Sequence, residues 1–307
     1  MKRVMDIIDN KSTHFLVVGG NIFDYAIVNK KIAPFASVQN FIEEYSKNDF
    51  KGFVVYDPFN GLNEKRGNAL ESLLKPEVNE SAKKTGKSGS FDDDLNKMIQ
   101  QSVPQEKEST DKRHKPPIDS LRIIQKLFSD KNTPPTVFLI DQVETIVPES
   151  TPDTDRKAMV KIALQQWSRD ESIRKRGHLI VLLSKDNDLD RSLIDSCSHA
   201  KIIRIGKPDE SARRDFILRK LDSDELTRGL SLASSGLSLR EIEKLILTFP
   251  LDSEILFDEL IDRCLSVKAE ILSEEYGDLL EIKRAELGFE VFGGMDRIIN
   301  KVKLLTE

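Results

Sequence analysis

The sequence predicts an α/β protein built on an open parallel sheet and followed by an all-helical domain. Short continuous apolar runs recur at Phe15–Val18, Phe53–Tyr56, Thr136–Ile140, His178–Leu183 and Lys201–Ile205. Each has the length and character of a strand, and Thr136–Ile140 reads as one buried on both faces. Between them lie stretches with apolar residues at helical spacing, the alternation expected of a parallel sheet. After Pro208 the strand signals cease and only helical patterns remain.

The elements follow in order. Phe15–Val18 ends at Gly19-Gly20, and Tyr25–Ile32 reads as a hairpin with its turn at Asn29-Lys30. Ser37 caps a helix from Val38 to Lys47, with Val38, Phe41, Ile42 and Tyr45 on one face. Asp57-Pro58 closes the next strand, and Ala69–Leu74 reads as a helix. From 76 to 117 Lys, Asp, Glu, Ser and Gln dominate, and the segment is expected to be a disordered insertion. Within it Ser90 precedes Phe91, Leu95, Met98 and Ile99 on one helical face, open to two readings: a transient helix or a docking helix for a partner. Asp119 is expected to cap a helix carrying Leu121, Ile124, Leu127 and Phe128. Asp155–Arg174 is expected as one helix with Met159, Ile162, Ala163 and Trp167 inward, and Leu189–Asp195 as a short one. Helices are then expected at Ser211–Leu221, Asp224–Ala233, Ser238–Thr248 and Asp252–Leu272, with Leu239, Ile242, Ile246 and Phe249 on one face. A charged helix or linker follows over Glu274–Glu286.

Composition narrows the class. The 307 residues suffice for one large or two small domains. Charged residues make up 32% with a net charge of −5, so nothing pushes the chain toward nucleic acid or an anionic membrane. The two cysteines, Cys197 and Cys264, have no paired spacing, which fits a reducing compartment, and the expected location is cytoplasmic. No apolar run approaches a membrane span, and Met1–Ile8 does not read as a signal peptide. Solenoid repeats are absent.

Thr136–Glu144 is the informative stretch. Its apolar run ends in Asp141, at the carboxyl end of a parallel strand, where such sheets hold ligands. This strand resembles the Walker B strand of P-loop NTPases, where the acid organises Mg²⁺. In active AAA+ ATPases the next residue is usually Glu, which activates water; here it is Gln142. Asp188–Leu193 resembles the segment after sensor 1, and Ile203–Leu218 the passage from the fifth strand into the first lid helix. Gly236–Arg240 resembles the start of the sensor 2 helix. In this order, over residues 12–272, the parts resemble an AAA+ module: a five-stranded parallel sheet over 1–75 and 118–207, then a helical lid over 208–272. Gly20–Asp24, Val55–Leu62, Lys268–Leu272, Gly277–Glu281 and Phe292–Asp296 resemble bacterial tandem AAA+ proteins, which pair a degenerate first module with an active second one. On that resemblance 273–307 is a linker and the start of the second AAA+ domain. ATP and Mg²⁺ then belong to the longer parent. The partners implied are its own C-terminal AAA+ domain, other copies in a ring and an unidentified protein substrate.

The phosphate-binding chemistry departs from the pattern. A P-loop needs Gly-x4-Gly-Lys-Ser/Thr between the first strand and a helix, so that amides, ammonium and hydroxyl meet phosphates and metal. The chain offers Gly19-Gly-Asn-Ile-Phe-Asp-Tyr25, without Lys, Ser or Thr, and Asp24 brings negative charge toward a phosphate. Thr85-Gly-Lys-Ser88 follows no strand, carries Ser81 where Gly is required, and reads as a solvated basic loop. Gln142 cannot act as a general base. Asp195–Ala200, where an arginine finger usually sits, has no Arg. Gly19, Gly20, Asn187 and Arg240 are the vestigial cofactor-binding candidates, and Asp141 the candidate Mg²⁺ ligand. Asn187 reads equally as a sensor or a surface turn, and Arg240 as a phosphate sensor or a solvated helix-start Arg.

Three functions compete. The first is a catalytically degenerate AAA+ module serving as scaffold and regulator of an ATP-driven remodelling protein. The second is a non-catalytic binding subunit like the inactive subunits of clamp loaders. The third is a Mg²⁺ enzyme using Asp57, Asp141 and Asp186 at neighbouring strand ends. It lacks an accompanying nucleophile or His base, since His14, His114, His178 and His199 are scattered.

Overall fold

The computed structural model describes residues 1–28, 34–74, 116–152, 154–185, 200–221, 224–248 and 257–276. The Asn29-Lys30 turn, the body of the 76–117 insertion with its Ser90–Ile99 island, the Thr85–Ser88 loop, Asp186, Asn187, the Leu189–Asp195 helix, Phe249 and the tail from Gly277 lie outside the described residues. Two units are distinguished. The first is Met1–Pro208 together with Ser238–Arg240; the second takes Asp209–Leu237 and the chain from Glu241.

The first unit is a sheet between two helical layers. Its strands are β1 (Phe15–Gly20), β2 (Gly52–Asp57), β3 (Gly61–Arg66), β4 (Thr136–Ile140), β5 (Leu179–Ser184) and β6 (Lys201–Ile205), ordered β3-β2-β4-β5-β1-β6. All neighbours are parallel except β2 and β3. The five expected strands are present, and β3 is an addition that makes the sheet mixed. Gly61-Leu-Asn-Glu-Lys-Arg66 has no apolar run, because only Gly61 and Leu62 are buried. Its strand character comes from the ladder to β2, entered through a turn in which Asp57 accepts the N–H groups of Phe59 and Asn60.

Side chains alternate across the sheet, and both faces are apolar. Phe15, Val17, Val54, Tyr56, Phe138, Ile140, Ile180 and Leu182 pack into one layer. Leu16, Val18, Phe53, Val55, Val137, Leu139, Val181 and Leu183 pack into the other. The first layer is covered by α3 (Ala69–Leu74), α4 (Pro117–Ser129), the short α5 (Val143–Ile146), α6 (Asp155–Arg169) and α7 (Glu171–Lys175). The second is covered by α1 (Lys2–Asn10) and α2 (Val38–Tyr45). Each fully buried Leu, Ile, Val or Phe contributes roughly 1.5–3 kcal/mol, so this doubly covered sheet is the stable base of the unit.

Local details confirm some expectations and correct others. Ser37 caps α2, accepting from the Asn40 N–H at 3.2 Å. In α4 the helix starts at Pro117, where the missing N–H costs nothing, and Asp119 lies in the first turn rather than at the cap. The expected single helix Asp155–Arg174 is two. Asp170 leaves helical geometry at ψ 94° and caps α7 by accepting from the Ser172 N–H at 2.8 Å. The inward face of α6 is Val160, Leu164 and Trp167, whereas Met159 and Ile162 are 52% and 53% exposed. That helix carries two apolar rows, and periodicity alone does not choose between them.

The second unit is helical throughout its described residues: α8 (Glu210–Leu218), α9 (Asp224–Ala233), α10 (Leu239–Leu247) and α11 (Phe257–Tyr276). The first two residues of α10 group with the first unit. Asp209 caps α8 by accepting from the Ala212 N–H at 2.8 Å. Buried Arg213 donates from Nε to the Ser231 carbonyl, tying α8 to α9. Phe216, Ile217, Leu230, Leu237, Ile242 and Leu245 are buried, as is the free thiol of Cys264.

Candidate functional site at the strand ends

Parallel strands place their carboxyl ends along one edge, so Gly20, Asp57, Asp141 and Ser184 share that edge of the sheet. The turn after β1 leaves the sheet abruptly. Gly20 has φ 97°, a conformation that suits glycine, and the Ile22 N–H reaches back to its carbonyl at 2.7 Å. The Asn21 N–H donates to the Ile205 carbonyl at 2.8 Å, binding this turn to the end of β6.

Asp24 is the centre of the turn and is only 4% exposed. Its Oδ1 accepts from the N–H groups of Tyr25 at 2.8 Å and Arg240 at 3.0 Å. Its Oδ2 accepts from Asn21 Nδ2 at 2.8 Å and the Leu239 N–H at 2.9 Å. A carboxylate offers about four lone-pair sites, and each has a donor here. Arg240 completes the arrangement. Its Nε donates to the Phe23 carbonyl at 2.7 Å, its Nη2 to the Ala36 carbonyl at 2.6 Å, and its guanidinium lies 5.0 Å from the Tyr25 ring centroid. Arg240 thus lies exposed at the helix start, with its guanidinium bonded to the chain's own carbonyls.

Asp141 stands at the end of β4, its N–H donating to the Tyr56 carbonyl at 2.9 Å. The side chain is 8% exposed, and Oδ1 accepts from the Gln142 N–H at 2.9 Å. Burial pushes its pKa up to about 6, and the negative charges of Asp57 and Glu144 add to the shift against the opposing hydrogen bond from Gln142. Gln142 has φ 50° and ψ 44°, the left-handed region, and precedes α5. A non-glycine residue there carries about 1–3 kcal/mol of strain. Glu144 Oε2 is buried without a hydrogen-bond partner among the described residues.

Among the described residues no three His, Cys, Asp or Glu side chains gather around one point. Asp57 is committed to its own turn, accepting from Phe59, Asn60 and Asn60 Nδ2. The structure thus brings together Gly19, Gly20, Asp24 and Arg240 at one strand end and Asp141 with Gln142 at another. Sequence reasoning missed the role of Asn21, Tyr25 and the Phe23 carbonyl, because Arg240, which the Phe23 carbonyl and the Tyr25 ring meet, is distant in the chain and carries no local signal.

No helix among the described residues is long and apolar enough to cross a membrane. Comparison with curated proteins finds no match. Among solved structures, the chain is similar to one in the E. coli MS115-1 HORMA:CdnC:Trip13 complex. The identity is 11% and the TM-score 0.47, over 88% of this chain and 86% of that one. Residues 8–206 match the model of the AAA+ chaperone, N-terminal Rossmann-like domain. That span holds all six strands and more than half of the chain, and the chain therefore belongs to this AAA+ chaperone family.

Proposed function

We propose that this chain is a catalytically degenerate AAA+ module, the scaffold and regulatory half of an ATP-driven remodelling protein. The observation that carries the reading is the turn Gly19–Tyr25. Where a phosphate loop keeps a Lys ammonium and a Ser or Thr hydroxyl, this turn has no Lys, Ser or Thr, and its one charged group is a buried carboxylate. Gln142 supports the same reading, since an amide cannot take a proton from water. The module then contributes surface and geometry, while ATP turnover belongs to a second AAA+ domain of the parent. Its partners are that domain, further copies of the parent and a protein substrate.

Steady-state phosphate release tests the proposal on the purified chain. The expected result is no turnover above background with ATP and Mg²⁺. Turnover that disappears in Asp141→Ala would overturn it.

A further inference from the structure

A nucleotide-binding loop closes around a ligand that arrives from solution. The turn after β1 instead closes around a side chain of its own. Asp24 gathers four N–H donors from two distant stretches, 21–25 and 238–240, both belonging to the first unit. The backbone donors Tyr25, Leu239 and Arg240 are the type of group that holds an oxyanion. We infer that Asp24 is an internal ligand, a carboxylate standing where an oxyanion would otherwise be needed, so that 21–25 and 238–240 are joined without nucleotide. This deepens the reading of the module as non-hydrolysing and rests on it.

Three observations converge. The carboxylate is almost fully buried, so its negative charge requires internal partners. Its donors are complete, leaving no lone pair for a metal or a second ligand. Among the described residues, Arg240, the cation nearest in sequence to those donors, finds its hydrogen-bond partners in backbone carbonyls. It donates to the carbonyls of Phe23 and Ala36 and lies over Tyr25, fixing the turn from the other side. A phosphate brought here would meet an acid with its donors already engaged.

Hydrogen exchange on the wild-type chain is the primary test. The amides of Tyr25, Leu239 and Arg240 should be protected, and ATP with Mg²⁺ should leave their protection unchanged. A rise in protection on adding ATP and Mg²⁺ would overturn the inference. Variants give the second arm. Asp24→Gly removes the carboxylate and should lower Tm by roughly 5–10 °C, because several buried donors lose their acceptor. Sodium formate should recover part of that loss where sodium chloride at the same ionic strength does not. Asp24→Asn keeps the shape, turns one acceptor into a donor, and should be destabilised without formate recovery. Unchanged Tm in both variants, or equal response to formate and chloride in Asp24→Gly, would also overturn it. If Asp24→Gly does not fold, exchange on the wild type still decides. Phosphate release alongside unchanged protection would remove the functional reading and leave the internal ligand. ATP-dependent protection without turnover would do the reverse.

Discussion

The Thr136 backbone N–H donates to Nδ1 of His178 at 3.2 Å, joining the amino end of β4 to the residue that leads into β5. This bond fixes the tautomer, because Nδ1 must be unprotonated to accept and the proton of the neutral ring sits on Nε2. His178 is 3% exposed. Burial, and after it the nearby Arg176 charge acting in the same sense, lowers its pKa to about 4.

The sign of the pH dependence follows. The unfolded ring titrates at about 6.5, so between that value and about 4 the unfolded chain binds the extra proton. The stabilisation is complete above the unfolded pKa and is lost as pH falls through the folded one. Denaturant unfolding of wild type and His178→Gln from neutral pH down to about 5 should show wild type losing on the order of 1–2 kcal/mol more. Parallel pH profiles would refute the assignment.

Asp141 works in the opposite sense. Its folded pKa is raised to about 6, so the folded chain holds the extra proton between the ordinary carboxylate value and that point. Its stabilising effect is present below the unfolded pKa and is lost as pH rises through about 6. Asp141→Asn keeps an oxygen for the Gln142 N–H and carries no charge. It should therefore raise stability at neutral and alkaline pH, by about 1–3 kcal/mol, and the gain should vanish near pH 4. An Asn variant no more stable than wild type at pH 8 would mean that the charged form is well accommodated.

Gln142 separates backbone strain from lost catalysis. Its left-handed conformation favours glycine, so Gln142→Gly should match or exceed wild-type stability, by up to about 1 kcal/mol. Gln142→Val should cost about 1–2 kcal/mol, since a β-branched residue fits this region poorly. Gln142→Glu would restore the acid usual in active AAA+ modules but not the missing ammonium and hydroxyl of the phosphate loop. We expect no ATP turnover from it. Measurable phosphate release by the Glu variant would show that the remaining groups suffice.

The parts of the fold that were legible in the sequence are those with a local cause. Val38, Phe41 and Ile42 share one helical face beside a capping Ser37, and all three are buried. Val137–Ile140 reads as a strand covered on both faces, and it is. The helix α1 has an equally local cause, with Val4, Ile7 and Ile8 at helical spacing and all three buried. By contrast β3 is polar and exists through its partner strand, so no periodicity announces it. Asp24 was visible as an acid in the wrong place for a phosphate. What it does there was not, because two of its donors lie more than 200 residues further along the chain. A hydrogen bond of that separation is a property of the folded topology, and composition or spacing near Asp24 cannot encode it.

The pairing of β2 with β4 gives a last prediction. Gly52 and Thr136 are register partners on adjacent parallel strands. A Cβ on Gly52 would stand 2.3 Å from Thr136 Oγ1, 2.9 Å from Cγ2 and 3.0 Å from Cβ. Thr136 cannot yield cheaply: it is fully buried and its Oγ1 donates to the Pro134 carbonyl at 2.6 Å. Its own backbone N–H is held by His178. Gly52→Ala must therefore separate the strands or break the Thr136 hydrogen bond, and overpacking of this kind costs about 1–3 kcal/mol or more. Thr136→Ala alone removes the two nearest crowding atoms, Oγ1 and Cγ2, and costs something for the lost hydrogen bond. Together the two changes should be less harmful than their sum, with a favourable coupling of about 1–2 kcal/mol in a double-mutant cycle. Denaturant unfolding of the four proteins measures it. Additive losses would show that Gly52 is required for a reason other than Thr136.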